Sequence, residues 1–150
     1  MAEGATTENG PVLLTEGPFA GWMTWSRHGD QYETLLGPFC FKMADEKVRC
    51  AFQPRPDHLN IGGKIHGGAL MSFADFSLFC FAHKALADGV KAVTLTCNCE
   101  FLSAGELDGW IEAEGEVLRE TRSLIFVRGL ITQRGRAVLA FSGALKKIGR

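Results

Sequence analysis

Residues 69–82 read Ala-Leu-Met-Ser-Phe-Ala-Asp-Phe-Ser-Leu-Phe-Cys-Phe-Ala. The run contains neither proline nor glycine, a basic Lys84 follows it, and Gly89 lies just beyond. These signals predict a helix from about Gly68 to Ala87. Its apolar residues surround the axis instead of forming one stripe, which is the pattern of a buried helix. The run is too short for a bilayer, which takes about 20 residues, and Asp75 opposes insertion. The rest of the chain must therefore cover this helix on every side.

The flanking sequence supplies sheet. Phe39, Phe41 and Met43 alternate with polar or small residues, and so do Val48, Cys50 and Phe52, with Ala44-Asp45-Glu46 as the turn between them. Beyond the helix, Val93, Leu95, Cys97, Cys99 and Phe101 alternate with Thr94, Thr96, Asn98 and Glu100. Three further alternating runs, near 109–120, 123–133 and 136–147, are joined by short turns such as Arg134-Gly135. The order is two strands, one helix, then four strands. It predicts an α+β fold in which a curved antiparallel sheet of about six strands wraps one long buried helix. Phe19, Trp22 and Met23 fall on one helical face, which predicts a short helix or turn docking on the body, and Tyr32, Leu35 and Leu36 suggest a second short helical piece ended by Gly37-Pro38. Residues 1–17 carry few large apolar side chains and are expected to form a flexible tail, leaving residues 18–150 as one domain.

With 16 basic and 17 acidic residues the net charge is −1, so no broad nucleic-acid footprint is present. The five cysteines, Cys40, Cys50, Cys80, Cys97 and Cys99, lack CxxC spacing. Structural thiols in a reducing, cytoplasmic setting fit them best. No secretory pattern opens the chain. An isolated six-stranded sheet with one helix leaves edges open, and self-association would close them.

The segment leading into the helix carries Asn60, Gly62, His66-Gly67-Gly68 and, seven residues later, Asp75. This arrangement, with "FLSAGELDGW" at 101–110, resembles the hotdog-fold acyl-CoA thioesterases of the phenylacetate-degradation type over about residues 35–148. The resemblance implies the hotdog fold and a homodimer whose sheets join, often a dimer of dimers. It implies hydrolysis of an acyl-CoA at the subunit interface, with no metal and no cofactor beyond the CoA of the substrate. The chain departs from the family pattern at Ala104, where proline is usual, and at the acidic Glu100.

Each motif residue also has a reading of its own. Gly67 and Gly68 open the helix, where backbone N–H groups are unsatisfied and meet the positive end of the macrodipole. The resemblance makes the Gly67 N–H the oxyanion donor, and Gly68 and Ser72 are candidates for substrate binding. Asp75 is an isolated carboxylate in apolar surroundings, costly unless bonded. It reads either as general base on water or as nucleophile, or else as a structural group bonded to Ser72 on the same helical face. Asn60 can donate to the thioester oxygen or hold the loop, and His66 can bond the carbonyl region or cap the turn. Thr94 aligns with a hydroxyl that helps place water in some relatives. Arg119, Arg122, Arg134 and Arg136 are cationic candidates for the CoA phosphates. His28, His58 and His83 read as surface or structural. A hydratase or dehydratase on the same fold, or a non-catalytic acyl-CoA-binding protein, are the competing functions.

Finally, Gly68 and Asp75 are seven residues apart, about 10 Å along a helix axis. One helix therefore cannot bring both groups to one carbonyl, and two subunits are expected to share the site.

Overall fold

The structure, a computed structural model, describes residues 10–25 and 30–149. His28 lies outside the described residues. The apolar run forms helix α2, Gly67–Phe81, which carries nine buried residues. It ends earlier than the spacing predicts. From Ala82 to Leu86 the backbone continues in turns, where His83 and Lys84 reach solvent while Ala82 stays buried and Ala85 and Leu86 pack against the core.

An eight-stranded antiparallel sheet wraps α2. In chain order the strands are β1 (Val12–Leu13), β2 (Met23–Thr24), β3 (Cys40–Ala44), β4 (Lys47–Phe52), β5 (Lys91–Phe101), β6 (Ile111–Glu120), β7 (Leu124–Gln133) and β8 (Arg136–Gly149). The spatial order is β1-β2-β3-β4-β6-β7-β8-β5. The six long strands are those the alternation predicts. The two-residue strands β1 and β2 add to them, and β1 places part of the expected tail in the sheet. The β3–β4 and β7–β8 turns use Asp45-Glu46 and Arg134-Gly135, all four at positive φ, as two-residue hairpins require.

The N-terminal segment takes the turn and not the helix of the two forms its spacing allows: Phe19 to Gly21 lie in turns, and Met23 pairs with Phe41 near the sheet edge. Sheet packing sets this path. Phe19 stacks on Trp110 at 4.3 Å and Trp22 meets the same indole edge-on at 5.9 Å. With Cys40 and Ala51 they form a small cluster on the sheet face away from α2. The second helical piece does form, as α1 (Gln31–Leu36), with the Asp30 carboxylate accepting from the Glu33 N–H at 2.9 Å.

The main core lies between α2 and the inner face of the sheet, with Phe39, Phe52, Phe73, Leu78, Ile125 and Leu145 at its centre. Helix and sheet approach closely over Gly115, where a Cβ would fall 2.5 Å from the Phe81 ring and 2.4 Å from the Arg128 carbonyl oxygen.

Strand β5 corrects the simple alternation. Thr94 pairs with Leu145 and Thr96 with Ala144, so Leu95 is an extra residue. The bulge switches which residues face α2. Before it Ala92 and Thr94 point inward and Val93 and Leu95 are exposed; after it Cys97 and Cys99 pack on the core. β5 is also the last strand of the sheet. Among the described residues its outer edge is unpaired along 11 residues.

Candidate functional site

The chain enters α2 through a closed loop. Asn60 donates its N–H to the Lys64 carbonyl at 2.8 Å, and its side-chain oxygen accepts from the N–H groups of Gly62 at 2.9 Å and Lys64 at 3.1 Å. The side-chain carbonyl of Asn60 thus holds the loop, which leaves the amide NH2 to donate outward.

His66 is the N-cap of α2, with Nδ1 accepting from the Gly68 N–H at 2.8 Å. Its ring proton therefore sits on Nε2, on an exposed side chain. The cap consumes the Gly68 N–H. Among the described residues nothing accepts from the Gly67 N–H. That donor, at the positive helix end, lies beside the Phe101 ring: a Cβ on Gly67 would come within 3.1 Å of it.

Two turns further, Asp75 is half-buried. The hydroxyl of Thr94 donates to its Oδ1 at 2.5 Å. Ser72, three residues before Asp75, donates instead to the Gly68 carbonyl at 2.8 Å and meets the Tyr32 hydroxyl at 3.0 Å. Gly68, Met71, Ser72, Asp75 and Phe79 make up a strip of α2 that is not fully covered. This strip faces the side of the molecule where β5 ends the sheet.

The four arginines do not form one cluster. Arg119 lies near the end of β6 and Arg122 in the β6–β7 turn, while Arg134 lies in the β7–β8 turn and Arg136 opens β8, at the other end of those strands. Arg134 pairs with Asp108, and Arg136 donates to the Ala104 carbonyl at 2.8 Å. Only this second pair neighbours the site loop, because the Gly105 carbonyl accepts from the Ile65 N–H at 2.8 Å.

Three residues join the site that the sequence does not mark. His58 is 2% exposed; its Nδ1 accepts from the Arg55 N–H at 3.0 Å and its Nε2 donates to the Leu36 carbonyl at 2.6 Å. Burial pushes its pKa below the ordinary value. The Arg55 guanidinium donates to the carbonyls of Leu35 and Gly37. Glu33 on α1 has its carboxyl pushed up to about 8, by burial first and then by the charges of Asp30 and Asp75. The structural reading of His58 holds, although its partner lies 22 residues away, beyond any local pattern. The cysteines are free thiols; burial, then the neighbouring Cys99, pushes Cys97 up to about 12.

A curved antiparallel sheet around one apolar helix, with His-Gly-Gly at the helix start and a carboxylate at its centre, is the hotdog fold of thioester hydrolases. Residues 62–140 match the family model described as "Thioesterase superfamily", and the chain belongs to that superfamily. It is 27% identical over 110 residues to the Pseudomonas aeruginosa protein named "Putative esterase PA0474", covering 73% of this chain and 82% of that one. A mutant of the phenylacetic acid degradation protein PaaI from Thermus thermophilus superposes with a TM-score of 0.67 at 26% identity, over 79% of this chain and all of that one. A hypothetical thioesterase from Streptococcus pneumoniae, solved with coenzyme A, gives 0.64 at 27% identity, over 75% and 87%.

Proposed function

We propose that the protein hydrolyses acyl-CoA thioesters to a free acid and CoA, in a site shared by two copies of the chain. The observation that carries this reading is the fixed Asp75 carboxylate. Thr94 holds its Oδ1, on a half-buried strip of helix that also leads to the unused Gly67 N–H. Thioester hydrolysis needs these two groups: a donor where negative charge develops on the carbonyl oxygen, and a base or nucleophile for the carbon.

In this reading the thioester carbonyl sits on the Gly67 N–H, and the amide of Asn60 and the Nε2–H of His66 are further donors at the same entrance. Asp75 acts as general base on water or attacks directly. The two halves come from different subunits, since seven residues of helix, about 10 Å, separate Gly68 from Asp75. The open edge of β5, with the exposed Val93 and Leu95, is the surface along which two copies would join their sheets. Arg134 and Arg136, beside the site loop, are the better placed of the arginines to meet CoA phosphates.

The test is release of free thiol from a panel of acyl-CoAs, read together with the oligomeric state by sedimentation. Asp75→Asn is expected to lose about 100-fold or more in kcat. Mixing Asp75→Asn subunits with Gly67→Pro subunits is expected to restore activity, because each mixed dimer holds one intact site. No recovery after exchange would exclude a shared site, and an active Asp75→Asn protein would exclude the assignment of Asp75.

A further inference from the structure

Helix α1 reaches the exposed strip of α2 through its Tyr32 side chain, and the hydrogen bonds there are directional. Ser72 spends its only proton on the Gly68 carbonyl, so the Tyr32 hydroxyl is the donor in the 3.0 Å contact between the two side chains. The phenol is thereby tied at its tip to the middle of the strip, four residues past Gly68 and three before Asp75. Yet Tyr32 remains 60% exposed, so its ring presents a face that this chain does not cover.

The mounting of α1 is firm for a helix of six residues. Asp30 caps its start, and its last carbonyls are held by Arg55 and His58. Those two residues belong to the segment that runs directly into the site loop, and the His58 carbonyl accepts from the His66 N–H at 2.7 Å. Thus α1 and the start of α2 are held by one hydrogen-bonded unit.

We propose that Tyr32 is a specificity-determining residue for the acyl group, its ring forming one wall of the acyl pocket. This inference rests on the thioesterase reading above. An acyl group whose carbonyl sits at the start of α2 and which extends along the strip travels about 7.5 Å before it reaches Ser72, which is five residues of helix rise. Acetyl is too short to meet the ring, whereas a benzoyl or hexanoyl body reaches it. The nearby Leu35, one turn along α1, adds apolar surface on the same helix face and is 74% exposed.

The experiment compares kcat/KM for benzoyl-CoA and hexanoyl-CoA with that for acetyl-CoA in the wild type, Tyr32→Ala and Tyr32→Phe. Loss of an aromatic contact is expected to lower the ratio of long to short acyl groups in Tyr32→Ala by about two- to tenfold. Tyr32→Phe, which keeps the ring, is expected to restore most of that ratio. Equal loss on all three substrates, or a change in sedimentation showing that Tyr32→Ala dissociates, would overturn the proposal. Kd values for non-hydrolysable thioether analogues of the same acyl-CoAs keep the two readings apart. A wild type without thiol release refutes the hydrolase reading, while an unchanged Kd ranking in Tyr32→Ala refutes the Tyr32 wall whether or not hydrolysis occurs.

Discussion

Thr94 donates its hydroxyl proton to Oδ1 of Asp75 across 2.5 Å, joining the edge strand of the sheet to the centre of the buried helix. The bond exists because of the extra residue at Leu95, which puts Thr94 and Cys97 on the same inner face although they are three positions apart. A hydrogen bond to a charged group contributes about 1.5–3 kcal/mol. If it aims the carboxylate, Thr94→Val should lower kcat by about tenfold or more, with a smaller change in KM, while Thr94→Ser recovers most of it. Equal rates in the valine and wild-type proteins would remove Thr94 from the mechanism.

The Gly67 N–H can be deleted with little disturbance of the helix backbone. Gly67 is the first residue of α2, where proline is well tolerated, and His66 before it has φ −59 and ψ 134, the conformation preferred ahead of proline. Gly67→Pro should therefore fold and lose about 100-fold or more in kcat, the usual cost of an oxyanion donor. Gly67→Ala separates the N–H from the space around it. It keeps the donor but sets a Cβ against the Phe101 ring at 3.1 Å, a ring exposed enough to shift. The alanine variant should be clearly more active than the proline variant, and similar rates in the two would show that crowding, not the donor, matters.

Much of this was legible in the sequence because it depends on local pattern. The all-round apolar run around Asp75 demanded a wrapping sheet, and six strands followed from alternation. His66-Gly67-Gly68 marked the helix start. What escaped depends on contacts distant in the chain or on a break in periodicity. Leu95 looks like one more inward residue until its missing partner on β8 is seen. The segment around Trp22 has a helical spacing, but Trp110, far along the chain, draws it onto the back of the sheet. His58 and Glu33 carry no motif, and their environment arises only when α1 docks beside the site loop.

Glu33 and His58 pull the pH dependence of stability in opposite directions. The Glu33 carboxyl rises from 4.5 to about 8 in the folded protein, so between those values the native state keeps a proton that the unfolded chain has released. Stability therefore falls as pH rises through that window. His58 moves the other way. Its pKa lies below 6.5, so as pH drops below that value the unfolded chain takes up a proton the native state refuses, a loss that opposes the gain from Glu33 over the same range. Urea midpoints should therefore change little from pH 5 to 6.5 and fall from there to about pH 8. Glu33→Gln should abolish that fall and expose a loss of stability below pH 6.5, and an unchanged slope between pH 6.5 and 8 in that variant would contradict the assignment.

The tightest approach between helix and sheet gives a prediction about stability alone. At Gly115 an added Cβ would meet the Arg128 carbonyl oxygen at 2.4 Å and the Phe81 ring at 2.5 Å. The first is backbone in the neighbouring strand, and the second belongs to a ring buried at the end of α2, so neither can yield cheaply. Overpacking of this kind costs about 1–3 kcal/mol, and Gly115→Ala should shift the denaturation midpoint accordingly. Gly135→Ala is the matched comparison: its hairpin position at φ 78 strains any side chain, but nothing lies within 4 Å of the new Cβ. Adding Phe81→Leu to Gly115→Ala should recover part of the loss by removing ring atoms from the clash. If the double variant is as unstable as the sum of the two single changes, the Phe81 ring is not what Gly115 makes room for.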